Sequence, residues 1–355
     1  MQQPSQPNTA IKSIALKLLH GVFSLFVVLS SAWLCMAIWI QQPINHIVSY
    51  ALIGIWIAFA LSILGIYFSY VFSRRKDILI YCLAFLFALI WYFSLPARQD
   101  RDWNPEVAQM LSYEKHGDQI TLHNVRNFDW HADGSYTERW ETRHYNLNEI
   151  TGVNIITSYW MGPQIAHTLV SFDFAHSAPL TFSIEIRKEK TEDFSAIGGF
   201  FRQFEVSLIA ADEKDIIYTR SNVRGEQVYF FPIKMGMAER KALFEEYLSK
   251  SDDLAEHAKW YNTLTSNCTT LVFDMVQAVS KKQLPVDYRL LASGYLPNYL
   301  YDLNAISHQW SMQTWYQRAH VNPRVSNKQY LSSEQYSKLL RQGLPLHTHN
   351  APSEL

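Results

Sequence analysis

One cysteine and one histidine are the residues whose setting in this chain suits covalent chemistry. Of the three cysteines, Cys35 and Cys82 lie inside long apolar runs, and only Cys268 lies in the polar remainder. A lone thiol there has no partner for an intradomain disulfide, so the thiol itself is what needs explaining. Cys268 opens the run NCTTLVFDMVQAVS at 267–280, in which Leu271, Val272, Met275, Val276 and Val279 fall on one helical stripe. Asn267 is a preferred N-cap residue, which places Cys268 in the first turn. Unpaired N–H groups and the positive end of the helix dipole favour thiolate over thiol there, as a nucleophilic cysteine requires. Such a nucleophile needs a base, normally an imidazole, oriented by a third polar group. His167 begins the run HTLVSFDF, where His167, Leu169, Ser171 and Asp173 alternate with Thr168, Val170, Phe172 and Phe174. The following run LTFSIEIR at 180–187 sets Ser183, Glu185 and Arg187 on one face and Phe182, Ile184 and Ile186 on the other. Ser183 or Glu185 can orient the ring. On residue types alone, a small buried core cysteine and a hydrogen-bonded strand histidine fit the same pattern, with Arg187 neutralising Glu185.

The segments that must carry these residues differ sharply along the chain. Three uncharged apolar runs stand near the N-terminus, at 21–40, 48–72 and 78–95. About 20 such residues at 1.5 Å each cross a hydrocarbon core of roughly 30 Å, and a helix satisfies its own backbone groups while doing so. Three successive runs exclude a signal peptide, which has one shorter apolar core. Lys12 and Lys17 precede the first run, and Arg74, Arg75 and Lys76 separate the second from the third, whereas 41–47 holds no cation. The positive-inside rule therefore sets the N-terminus in the cytoplasm and everything after Leu95 outside, in a multi-pass inner-membrane protein. Trp91, Tyr92, Phe93 and Trp103 fit an aromatic belt at the outer boundary. The expected organisation is a cytoplasmic tail at 1–12, a membrane region at 13–96, a periplasmic domain at 97–321 and a polar tail at 322–355.

Beyond the membrane region the pattern is α+β, with an antiparallel sheet and a helix bearing Cys268. Alternating runs at 119–125, 137–145, 152–159, 167–174, 180–187, 206–210, 216–220 and 227–232 predict strands. Helical spacing predicts helices at 238–250 and 267–280, and a short one after Ser332.

Several spaced blocks resemble the family of the Lnb N-terminal periplasmic domain. They are NVRNFDW at 124–130, AHTLVSFDF at 166–174, SIEIRKE at 183–189, FRQFE at 201–205, DEKDIIYTRSNVR at 212–224 and YNTLTSNCTT at 261–270. The resemblance implies a circularly permuted papain-like fold of the NlpC type, shared with lecithin:retinol acyltransferase, in which histidine precedes cysteine. It implies Cys268 as nucleophile and His167 as base. The family is similar to an acyltransferase that moves an acyl chain from a lipid-modified glycerol to an N-terminal amine. The implied partners are the bilayer and a membrane lipid or lipoprotein substrate. In this chain the apolar spans precede the domain, a layout that departs from the acyltransferase. Ser171, Asn267, Tyr261, Arg220 and Arg224 are the candidate substrate contacts around the dyad. Arg126, Arg187, Arg202, Arg220 and Arg224 have the chemistry to bind a phosphate or carboxylate, or to pair with Glu185, Glu205, Asp212 or Asp215.

Other classes fare worse. A net charge of −1 from 31 basic and 32 acidic side chains gives no field for nucleic acid. H-E-x-x-H, P-loop, G-x-G-x-x-G and G-x-S-x-G motifs are absent, so no cofactor is expected. His123, His131 and His144 have no recognised metal-ligand spacing, and no metal is expected either. The leading function is cysteine-dependent acyl transfer or hydrolysis on lipid or lipoprotein esters. A cell-wall peptidase or amidase of NlpC type, and a non-catalytic tethered binding module, are the alternatives.

Overall fold

The computed structural model describes residues 8–345 apart from 327 and 329, with side chains from residue 16. The expected tail at residues 1–7, the Lys12 side chain and the last ten residues lie outside the described residues. The chain divides into two units, residues 1–96 with 200–203, and 97–199 with 204–355.

In the first unit, α1 (Asn8–Gln41), α2 (His46–Ser69) and α3 (Arg74–Phe93) carry three stretches long and apolar enough to cross a membrane. Even the 20-residue α3 is about 30 Å long at 1.5 Å per residue, matching the hydrocarbon core. Asn45 caps α2 by accepting the Val48 N–H, and Tyr70 in the left-handed region ends it. Phe23, Val27, Ala60, Ile63, Tyr67 and Tyr81 pack together between the helices. The Tyr81 hydroxyl bonds the Ser30 and Ser31 hydroxyls, which satisfies polar groups that lipid cannot. Leu25, Ile55 and Phe87 point outward, as a lipid-facing surface requires.

The second unit is α+β. Its strands are β1 (Ser112–His116), β2 (Gln119–Arg126), β3 (Asp129–Trp130), β4 (Tyr136–Thr137), β5 (Trp140–Asn146), β6 (Ile150–Tyr159), β7 (Ala166–Phe174), β8 (Leu180–Arg187) and β9 (Glu205–Ala211). After β9 come α4 (Glu213–Tyr218), β10 (Gln227–Ile233), α5 (Met237–Glu256) and α6 (Cys268–Val279). Among the described residues, α7 (Leu296–Asp302), α8 (Met312–Ala319), α9 (Asn322–Val325) and α10 (Ser333–Arg341) follow. The main sheet runs β1-β2-β9-β8-β7-β6-β10, with β5 also on β2. It is mixed rather than antiparallel throughout, because β2 meets β9 in parallel at Arg126 and Ala211.

Three departures from the sequence reading have clear causes. The run 216–220, expected as a strand, is α4 followed by a π turn at Thr219–Val223. Its β-branched isoleucines suggest a strand, but Asp212 caps a helix by accepting the Lys214 N–H. Asp215 on that helix takes Arg126 Nε at 2.9 Å, the Phe128 N–H at 2.9 Å and Trp130 Nε1 at 2.7 Å, a buried anchor a strand would not present. Secondly, β7 alternates as expected but is buried on both faces. Phe172 packs on Phe244 and Tyr247 of α5, while Ser171 donates to Glu213, and Arg341 Nε donates to Asp173 at 3.0 Å. Thirdly, the segment after Asn322, expected as a polar tail, packs Val325, Tyr336, Leu340 and Leu344 into the domain core. Amphipathic α10, capped by Ser332, turns its polar residues outward and so looks like a tail in composition.

Candidate active site

Local structure sets the thiol first. The Asn267 side chain accepts the N–H groups of Thr269 and Thr270, both at 2.9 Å, and the Thr270 hydroxyl accepts the Asn267 N–H at 3.0 Å. This capping box leaves Cys268 as the first residue of α6, with Sγ 3.9 Å from Thr269 Oγ1. Thr269 in turn bonds Thr168 of β7, Oγ1 to Oγ1, at 3.0 Å. That contact ties the start of α6 to the residue after His167.

His167 reaches towards the thiol from the end of β7, and each of the two side chains favours the charged form of the other. Its Nε2 lies 2.7 Å from Ser183 Oγ and 3.3 Å from Glu185 Oε1. Ser183 Oγ donates to Glu185 Oε1 at 2.6 Å. These groups share the polar face of the sheet because Leu169 on β7 pairs with Ser183 on β8. Both alternatives for the third group therefore converge on one ring nitrogen. Arg187, by contrast, does not neutralise Glu185. It stacks over Trp103 and donates to the carbonyls of Val107 and Ala108, while Arg220 from the π turn pairs with Glu185 at 2.6 Å.

The charges follow from this wiring. Burial and the Arg220 guanidinium oppose a charged ring, but Glu185 and Cys268 outweigh them and push His167 up to about 9. Burial opposes the thiolate as well, but the imidazolium, the Thr168 N–H and the Thr269 hydroxyl hold the Cys268 thiol below its ordinary value. Glu185, though buried, is held well below the usual carboxylate range by Arg220 and His167. Each shift favours the thiolate–imidazolium form of the pair, with a carboxylate behind it.

A cavity of about 570 Å³ opens on the pair. Cys268, His167, Glu185, Asn267 and Tyr261 line it together with Trp160, Met161, Ile165, Phe194 and Leu291. Those last five are exposed apolar side chains, Phe194 at 55% and Met161 at 54%. The Tyr261 phenol lies close enough to Cys268 that burial and the charge on the sulfur together hold it above its ordinary value. Arg220 and Arg224 also line the cavity, each paired, Arg220 with Glu185 and Glu226 and Arg224 with Glu106. Ser171 does not belong to this group. It lies one turn of alternation further along β7, fully buried against Glu213. Arg126 lines the cavity as well but is held on Asp215, and Arg202 donates to the carbonyls of Tyr92, Phe93 and Leu95. His123 and His144 bond threonine hydroxyls.

Sequence reasoning missed Thr168, Thr269, Glu226 and the apolar rim. Thr269 follows the cysteine directly and sits at N2 of a capped helix, a legible position. Glu226 and Trp160 carry no such signal, because only chain crossing brings them to the cavity.

No curated protein and no solved structure matches this chain. The family model of the Lnb N-terminal periplasmic domain matches residues 136–294, which contain β5 to β10, α5, α6, His167 and Cys268. That segment is similar to the Lnb N-terminal periplasmic domain, and together with three helices long and apolar enough to cross a membrane it fits a membrane protein with a periplasmic domain.

Proposed function

We propose that this protein is a cysteine-dependent acyl-transfer enzyme of permuted papain-like type, acting on lipid or lipoprotein esters at the outer face of the inner membrane. The observation that carries the reading is that Cys268, at the start of a capped helix, and His167, backed by Ser183 and Glu185, line one cavity with exposed apolar side chains. A peptide or sugar substrate has no use for five exposed apolar side chains around the nucleophile, whereas an acyl chain does. The cationic loop at Arg74, Arg75 and Lys76 supports a cytoplasmic N-terminus.

In the reaction the Cys268 thiolate adds to the ester carbonyl, forming the S–C bond and an oxyanion. The Cys268 N–H, at the start of α6, and the Tyr261 hydroxyl on the cavity wall are the donors available to that oxygen. As the intermediate collapses, the C–O bond breaks and the leaving alkoxide takes the His167 proton. The thioester then passes its acyl group to an amine, alcohol or water that His167 deprotonates, which returns the thiolate and imidazolium. Glu185 and Ser183 hold the ring in register throughout.

Full-length protein in detergent, treated with a long-chain acyl chloromethyl ketone, is expected to be labelled at Cys268, with labelling suppressed in His167→Ala. Absent labelling, or labelling indifferent to His167→Ala, overturns the proposal.

A further inference from the structure

A second cavity of about 680 Å³ adjoins the first, and Trp160, Arg224 and Glu226 line both. Its lining includes Tyr159, Tyr229, Tyr295 and Tyr316. The Tyr229 ring meets Tyr159 at 89° with centroids 5.5 Å apart, and Tyr316 at 85° with centroids 5.4 Å apart. Three rings joined at near right angles form the corner of a box. His320 stacks on Tyr229 at 4.9 Å and fixes its plane. The Tyr159 hydroxyl donates to the Gly294 carbonyl at 2.6 Å and the Tyr316 hydroxyl to Asn298 at 2.8 Å, which fixes the other two. Gly294 allows this closure, because a Cβ there would lie 2.1 Å from the Pro163 carbonyl oxygen. Burial raises the Tyr159 and Tyr229 phenols above their ordinary value, so the rings stay neutral.

An aromatic box with negative ring faces is built for an alkylammonium group, while the Glu226 carboxylate on its wall is already paired with Arg220. Among the described residues, the cations stacked on rings lie over other aromatics, so the box holds no cation of its own. Arg224 stands on the shared wall between this box and the Cys268 cavity, where a phosphate joined to both parts of one ligand would lie. We propose that the tyrosine box is a headgroup subsite for a zwitterionic phospholipid, with ammonium among Tyr159, Tyr229 and Tyr316, phosphate at Arg224 and an acyl ester in the Cys268 cavity. The assignment of the ester rests on the acyl-transfer reading, while the headgroup contact does not.

The test uses full-length protein in detergent and the soluble probes phosphocholine, phosphoethanolamine and glycerol 3-phosphate, followed by ligand-observed NMR. The N-methyl protons of phosphocholine are expected to move upfield on binding, through the ring currents of the box. Phosphoethanolamine competes, and glycerol 3-phosphate binds at least about tenfold more weakly. Tyr229→Phe keeps the ring and the affinity, and Tyr229→Leu loses about tenfold. The same shift is expected with Cys268→Ser, so headgroup binding is read even where thiol chemistry fails. No upfield shift, equal binding of glycerol 3-phosphate, or tighter binding of N-acetylglucosamine overturns the proposal, and the shift in unmodified protein decides it should Tyr229→Leu not fold.

Discussion

Replacing Glu185 by glutamine removes one charge from the thiolate–imidazolium pair while keeping its volume. Glu185 Oε1 stands 3.3 Å from His167 Nε2 and is the foremost of the groups that favour the charged ring. At an effective dielectric of about 20, unit charges at that distance interact by ~5 kcal/mol, equivalent to roughly 3–4 pH units. The net rise of His167, from 6.5 to about 9, is smaller than that. Burial and Arg220, now left with Glu226 alone, then pull the ring to or below its ordinary value. At pH 7.5 an imidazole titrating near 9 is ~97% charged, and one at 6.5 is ~10% charged. The Cys268 thiolate loses its counter-ion to the same degree. Alkylation of Cys268 by iodoacetamide at pH 7.5, read by peptide mass spectrometry, is expected to fall about tenfold in Glu185→Gln. Its pH profile should move towards that of a free thiol. A variant whose rate and profile match the wild type, with the fold intact by circular dichroism, refutes the electrostatic argument.

Further outcomes follow from the same geometry. Asn267→Ala removes the acceptor for two N–H groups and is expected to cost about 1 kcal/mol by thermal denaturation, with slower Cys268 alkylation. Asp215→Ala strands Arg126 in the core, and a loss of about 3–5 kcal/mol is expected in the same measurement, with melting unchanged as the refuting result. Because the folded His167 titrates above its unfolded value, its contribution is fully present below pH 6.5 and is lost as pH rises through about 9. The melting difference between wild type and His167→Ala is therefore expected to shrink from pH 6.5 to 9.5, by about 3 kcal/mol in free energy.

The parts of this protein legible in one dimension are those set by local periodicity. Three apolar runs suffice for three long helices, since a backbone in lipid must bond within its own segment. Strict alternation located β7 and β8, and Asn267 before an apolar stripe is a capping signal contained in a few residues. The family blocks were legible for the same reason, being short strings of residues in order. What only the tertiary structure decided is which charged and polar groups meet. Arg187 lies two residues from Glu185 yet bonds carbonyls elsewhere, and Arg220, thirty-five residues away, takes its place. Ser171 shares the face of His167 but belongs to Glu213, and the 216–220 run became helix because Asp215 had a buried guanidinium to hold. Strand order and chain crossing choose such partners, and neither is written in the spacing of residues along a single strand.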